Sequence, residues 1–157
     1  MRTICFICLL IVFLTPGDNP AAVSHLSDSQ RKLLTDLTLF RPLKNKSEIP
    51  PAVLVLCTDL HAGIADIGQR WEATDVITND TLPRKRLIWA LVYQDYDLIH
   101  YERGGRGHSF HVLLAQIRAG EKADVLWRAV GDKYPDVAAF RKALANNQLD
   151  DDPKFAY

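Results

Sequence analysis

The chain has no excess charge: 19 Lys and Arg face 19 Asp and Glu across 157 residues. Such a chain has no electrostatic grip on nucleic acid or on an anionic membrane surface, so neither is expected as a partner. Cysteine is scarce, with three in all. Cys5 and Cys8 sit in the N-terminal apolar run, and Cys57 stands alone. If that run is removed, no internal disulfide can form. Cys57 itself lies among apolar residues, where a thiol packs as a small hydrophobe and is a poor nucleophile. No apolar run reaches the roughly 20 residues of a membrane span. The sequence has no repeat, no low-complexity tract and no second-domain linker. No cofactor fingerprint is present, and no cofactor is expected.

The N-terminal run, Ile4 to Leu14, has 11 apolar residues in a row. Arg2 precedes it and Thr15-Pro16-Gly17 breaks it. This is the layout of a secretory signal. Residues 1–17 are read as a cleavable signal peptide, with cleavage as late as residue 22 also open. Residues 18–26 are read as a mobile leader, 27–149 as one domain, and 150–157 as an acidic, solvated tail. The expected location is secreted or periplasmic, with no stable membrane anchor once the signal is gone. Two sequons, Asn45-Lys46-Ser47 and Asn79-Asp80-Thr81, fall in loop-like segments and would matter only in a eukaryotic secretory pathway.

Along the domain, Ser27 and Gln30 form a capping box that predicts a helix, with Leu26 as a staple. Leu33, Leu34, Leu37 and Phe40 continue it at helical spacing, and Pro42 is expected to end it. Ala52 to Cys57 reads as a short buried strand, and Gln69 to Thr78 as another. Four further runs follow: Arg86 to Tyr93, Tyr96 to Arg103, His108 to Ile117 and Ala123 to Val130. Short turns at Gln94-Asp95, Gly104 to Gly107 and Ala119 to Lys122 join them, which predicts an antiparallel meander. A last helix should begin at Pro135 and stop at Asn146-Asn147. The fold class is α+β: a sheet of about five to six strands, with an N-terminal and a C-terminal helix mainly on one face.

Side-chain alternation then sorts the sheet, given a register. Pairing Arg103 with His108 sets His100 opposite His111 and Glu102 opposite Ser109. A tight turn at Gln94-Asp95 sets Trp89 or Leu91 beside His100. Pairing Ile117 with Asp124 sets Leu113 beside Arg128. One face is then plainly apolar. The other gathers Trp89, Tyr93, His100, Glu102, His111 and Arg128.

Two imidazoles, a carboxylate and a guanidinium on one face are the parts of an acid–base hydrolase. His100 and His111 would move the proton, with Glu102 beside them in the site, and Arg128 would stabilise an anion. A metal at His100, Glu102 and His111 is a weaker reading, and no metal site is expected. His108 and His111 are three apart and would point to opposite faces of a strand. Arg103-Gly104-Gly105-Arg106-Gly107 lacks the Lys-Ser/Thr end of a phosphate loop. A hairpin turn explains its glycines, and its arginines offer a basic tip for an acidic partner. Trp71, Trp89, Tyr93, Arg103 and Arg106 are the residue types that dominate interfaces. The reading preferred here is an exported binding or inhibitory module with a protein partner. A small secreted nuclease or phosphodiesterase using His100 and His111 is the alternative.

Overall fold

The computed structural model describes residues 25–58, 62–119 and 122–151. The signal, the first part of the leader, and residues 152–157 of the tail lie outside the described residues. So do residues 59–61, beyond Cys57.

The chain runs through α1 (Asp28–Thr35), β1 (Arg41–Leu43), α2 (Pro51–Cys57), β2 (Lys85–Tyr93), β3 (Tyr96–Arg103), β4 (Ser109–Arg118), β5 (Lys122–Gly131) and α3 (Val137–Ala145). All five strands are antiparallel and lie in sequence order, β1-β2-β3-β4-β5. The class is α+β, and the sheet is the expected meander. No described helix is long and apolar enough to cross a membrane.

The capping box forms as the residue pattern predicts. Ser27 Oγ accepts from Gln30 N, and Gln30 Oε1 accepts from Ser27 N. The helix stops earlier than expected, at Thr35. Asp36 turns its carboxylate onto Thr38 N and opens a short 3-10 turn instead. Pro42 sits in the edge strand β1, where a missing N–H does little harm.

Ala52 to Cys57 is a helix and not a strand. Pro51 supplies a ready-made first helical position. The apolar run then buries at helical spacing: Val53 and Cys57 are fully buried while Val55 is 69% exposed. A short continuous apolar run cannot reveal its own period. Residues 69–78 are likewise irregular and form no strand.

Both faces of the sheet are covered. On one face α1 and α3 bring Leu34, Phe140 and Leu144 against Trp89, Leu98, Leu114 and Trp127. On the other, α2 brings Val53 and Cys57, and Ile64 from the next segment, against Leu87, Ile99, Tyr101 and Leu113. The terminal helices thus pack on the face of Trp89 and Leu98, expected to be the mixed one, and α2 covers the face of Ala90, Ile99 and Tyr101, expected to be plainly apolar.

The register explains the difference. Tyr93 pairs with Tyr96 across Gln94-Asp95, with Gln94 at φ 54°, so Trp89 does lie opposite His100. Leu113 also lies opposite Arg128, although a bulge near the turn pairs Ile117 with Ala123 and not with Asp124. The β3–β4 hairpin is one residue off the expectation: Arg103 pairs with Ser109, Tyr101 with His111, and His100 with Val112. His108 stays in the turn because its ring is held from outside the strand. Nε2 lies 2.8 Å from a Glu102 oxygen, and the ring packs on Trp71 and Phe110. A one-residue slip moves every side chain of a strand to the other face. His111 consequently lies with Tyr101, on the α2 side, and His100 lies with Trp89, on the α3 side.

The chain beyond α3 is not wholly solvated as expected. Asp150 exchanges backbone hydrogen bonds with Val130, both at 2.7 Å. The Asp151 carboxylate accepts from Leu26 N and Trp127 Nε1 and meets His25 Nδ1 at 2.6 Å.

Candidate functional site

His100 is fully buried and both ring nitrogens are engaged. Tyr134 N–H can only donate, and it does so to Nε2 at 3.1 Å. Nδ1 therefore carries the proton and donates to the His111 carbonyl at 2.9 Å. Trp89 Nε1 donates to the Tyr134 carbonyl at 2.9 Å. The Tyr134 peptide groups are thus pinned by two side chains of the sheet, and the indole and imidazole rings pack 5.1 Å apart. Burial lowers the His100 pKa to about 4, so the ring is neutral at ordinary pH.

Glu102, 2% exposed, shares this face but not this contact. Arg86 donates to Oε1 from Nε and Nη2, both at 2.7 Å, and His108 meets Oε2. Trp71 lies over the Arg86 guanidinium, 5.1 Å from ring centroid to charge centre. Trp71, Arg86, Glu102 and His108 form one stacked, ion-paired column that ties the 62–84 segment to the hairpin.

His111 stacks on Tyr101 with centroids 5.0 Å apart, and its Nε2 lies 2.8 Å from Ser109 Oγ. Burial, and then the positive charges of Arg103, Lys85 and Arg128, lower its pKa to about 4. Arg128 donates to the Leu56 carbonyl at 3.2 Å and Lys85 Nζ to the Thr58 carbonyl at 3.3 Å. Two cations thereby cap the C-terminal carbonyls of α2, where the helix dipole favours positive charge. Burial pushes the nearby Cys57 thiol up to about 12, an inert packing residue at ordinary pH. His100, Glu102, His111 and Arg128 are therefore not brought together. Tyr93 packs on Phe40 and faces a wide hollow beside α1, where Asp28, Arg31, Lys32 and Asp36 alternate in sign and select no charge.

The structure does gather the arginines of the glycine turn. Arg103 and Arg106 line a groove of about 790 Å³ together with Arg84, whose position the sequence reading missed. Among the described residues no ion pair or hydrogen bond engages any of the three guanidinium groups, and Arg84 Nε is buried without a partner. Among the described residues Asp80 supplies the one carboxylate of the lining; Ala62, Ile77 and Leu82 supply its apolar part.

The opposing wall is pre-set by Glu72, which is buried at 6% exposure. Its carboxylate accepts from Thr74 Oγ1, Thr78 Oγ1, Thr78 N and Asn79 N. The Thr78 and Thr74 hydrogen bonds lower its pKa to about 2, so it stays ionised and keeps the loop closed. The turn is stitched to this wall by Gly104 N to the Arg84 carbonyl at 2.8 Å and Gly105 N to the Ala73 carbonyl at 3.3 Å.

Gly104 shows how close the approach is. A Cβ there would fall 2.7 Å from the Ala73 backbone and against the Glu72 carbonyl, neither of which can turn aside. Gly104→Ala is expected to pry the hairpin tip off the 72–79 wall. Amide exchange should rise at residues 72–79 and 104–107 with the rest of the sheet unchanged, and unaltered exchange there would contradict the close fit.

Asp97 was also missed, although its parity with Ile99 and Tyr101 puts it on their face. It is 1% exposed, and Oδ1 has no partner. Burial raises its pKa to about 6. Its ionised form is therefore a cost to the fold at neutral pH. Asp97→Asn is expected to stabilise the protein at pH 7 by about 2 kcal/mol, read from a urea midpoint. At pH 3.5, where the wild-type acid is neutral as well, the gain should vanish.

Compared with protein-family models, with curated proteins and with solved structures, the chain matches none.

Proposed function

We propose that this chain is an extracytoplasmic binding module that captures an acidic protein partner at the glycine-turn end of its sheet. The observation that carries the reading is the contrast between two sets of charges. The buried histidines, Glu102, Arg128 and Glu72 are consumed inside the fold, whereas Arg84, Arg103 and Arg106 line a concave groove with no ion pair among the described residues. Unpaired arginines beside apolar side chains are what a charged interface keeps ready for a partner. Exposed Val76 and Ile77 extend the apolar part beside them. Trp71 stands at the same end through its stack with Arg86 and His108.

A hydrolase with His100 and His111 as its acid–base pair needs both rings at one substrate. His100 and His111 lie on opposite faces of the sheet, which supports the binding reading over the hydrolase.

The test has two arms. The full chain is expressed in its own cell type and its size and compartment are followed. Loss of the first 17 to 22 residues in the extracytoplasmic fraction is expected, and an unshortened cytoplasmic chain would refute export. A photo-crosslinker is then placed at Gly107, with another at Val55 on exposed α2 as the control. One stoichiometric adduct from Gly107, lost in the Arg103→Ala, Arg106→Ala double variant, is expected. No adduct, or equal adducts from both positions, would refute the proposed binding end.

A further inference from the structure

Resting on the binding reading above, we infer that the groove receives an extended acidic segment of the partner, two carboxylates flanking an apolar side chain. Three features of the molecule define that occupant.

The first is charge. Among the described residues three arginines against Asp80 leave the lining two positive charges in excess, and Asp80 forms an ion pair with none of them. A single carboxylate would leave one charge uncompensated. Two carboxylates match the excess, and arginine holds each in a planar, two-bonded fork.

The second is the apolar share of the lining. Ile77 is 53% exposed, and it sits with Leu82 and Ala62 beside the guanidinium groups. A bare anion would leave these side chains in water. An apolar side chain between the two acids would cover them.

The third is shape. The volume, about 790 Å³, is that of a site for a drug-sized ligand or short peptide rather than a single ion. The groove is lined by the turn on one side and by Ile77, Asp80 and Leu82 on the other, a concave site that a flat protein surface would not fill. Gly105, at φ 124°, keeps it open. A Cβ there would lie 3.1 Å from Arg84 Nη2, and the guanidinium would have to give by a few tenths of an ångström.

The experiment titrates the full mature domain with three probes: a capped Glu-Leu-Glu peptide, its Gln-Leu-Gln counterpart, and inorganic phosphate. Amide NMR follows each titration. The acidic peptide should shift residues 77–84 and 103–109 and bind at least about tenfold more tightly than either other probe. A tenfold ratio corresponds to about 1.4 kcal/mol. Binding should weaken with salt. Arg106→Gln and Arg103→Gln should each reduce affinity about fivefold with unchanged melting, because neither side chain has a hydrogen-bond or ion-pair partner among the described residues.

Phosphate binding as tightly as the peptide would overturn the inference in favour of a simple anion site. Equal binding of the neutral peptide would overturn the charge argument. If the acidic peptide fails while the Gly107 crosslinker still captures a stoichiometric partner, the segment is wrong and the binding module stands. If both fail, the functional reading falls with it.

Discussion

His100→Ala should cost about 4 kcal/mol of folding stability at pH 7, a large share of the 5–15 kcal/mol that typically holds a domain together. Removing the ring strands the Tyr134 N–H and the His111 carbonyl, both deprived of the one side chain that reaches them. It also opens a cavity beneath Trp89 and Tyr134, which pack on the imidazole at 5.1 and 5.4 Å. An unmade buried hydrogen bond and an unfilled cavity each cost a few kcal/mol. Urea denaturation of the two proteins measures the difference, and a loss below 1 kcal/mol would mean the site collapses around the gap.

The same residue gives the protein an acid limit. Its pKa is near 4 in the fold against an ordinary 6.5. The neutral ring's contribution is complete above about pH 6.5 and is withdrawn as the pH falls towards 4. His111 behaves alike. Together they make stability fall with acid across that window, by up to about 1.4 kcal/mol per pH unit for each ring. Asp97 works the other way. Its raised pKa means the fold gains as the carboxylate is neutralised between pH 6 and 3.8, offsetting roughly one histidine. In His100→Ala the acid slope should therefore nearly vanish. An unchanged slope would show that His100 already carries its second proton in the fold.

Glu102→Ala should cost about 3 kcal/mol, since breaking a buried ion pair leaves a charge without compensation. Arg86 would keep its position under Trp71 with no counter-ion, and His108 would lose the contact that holds it in the turn. Glu102→Gln should recover about half, because its oxygen still accepts from Arg86 while its amide replaces a charged acceptor beside His108. A double-mutant cycle with Arg86→Ala isolates the pair, with a coupling above 1 kcal/mol expected. Coupling near zero would mean solvent already screens the pair through the 26% exposure of Arg86. His108 should then leave the turn in Glu102→Ala, and its NMR shifts would report the release.

Strands β2 to β5 were legible because each is bounded by strong turn residues, and all four fall within about two residues of their expected limits. Helix α3 was legible from its spacing, although it begins at Val137 behind an Asp136 cap and not at Pro135. The β3–β4 register was not, because composition cannot say whether the turn holds four residues or five. That choice is made by contacts of His108 with Glu102 and Trp71, distant in the chain or across the turn. Helix α2 was misread for a related reason: its period shows only against a partner surface. Arg103 and Arg106 were legible as a basic tip, but the groove was not. Its second wall depends on Glu72 gathering residues 74–79 and on Gly104 pairing with Arg84. A bulge between Leu87 and Trp89 sets Lys85 opposite Arg103 and so brings Arg84 beside Gly104, whereas the unshifted register would set Arg84 opposite Gly105.

The bond between His25 and Asp151 has a consequence for handling the molecule. The side chains at the two ends of the described body meet at 2.6 Å beside Trp127, on the outer margin of β5. A linker spliced in at His25 or at Asp151 leaves from one spot, and that spot is not the arginine turn. A short peptide could join Asp151 to His25 with little entropy to lose. The fold is in effect a ring with a cut in it, and the cut could be moved to another exposed connection, such as the Gln94-Asp95 turn, without asking the sheet to change its strand order.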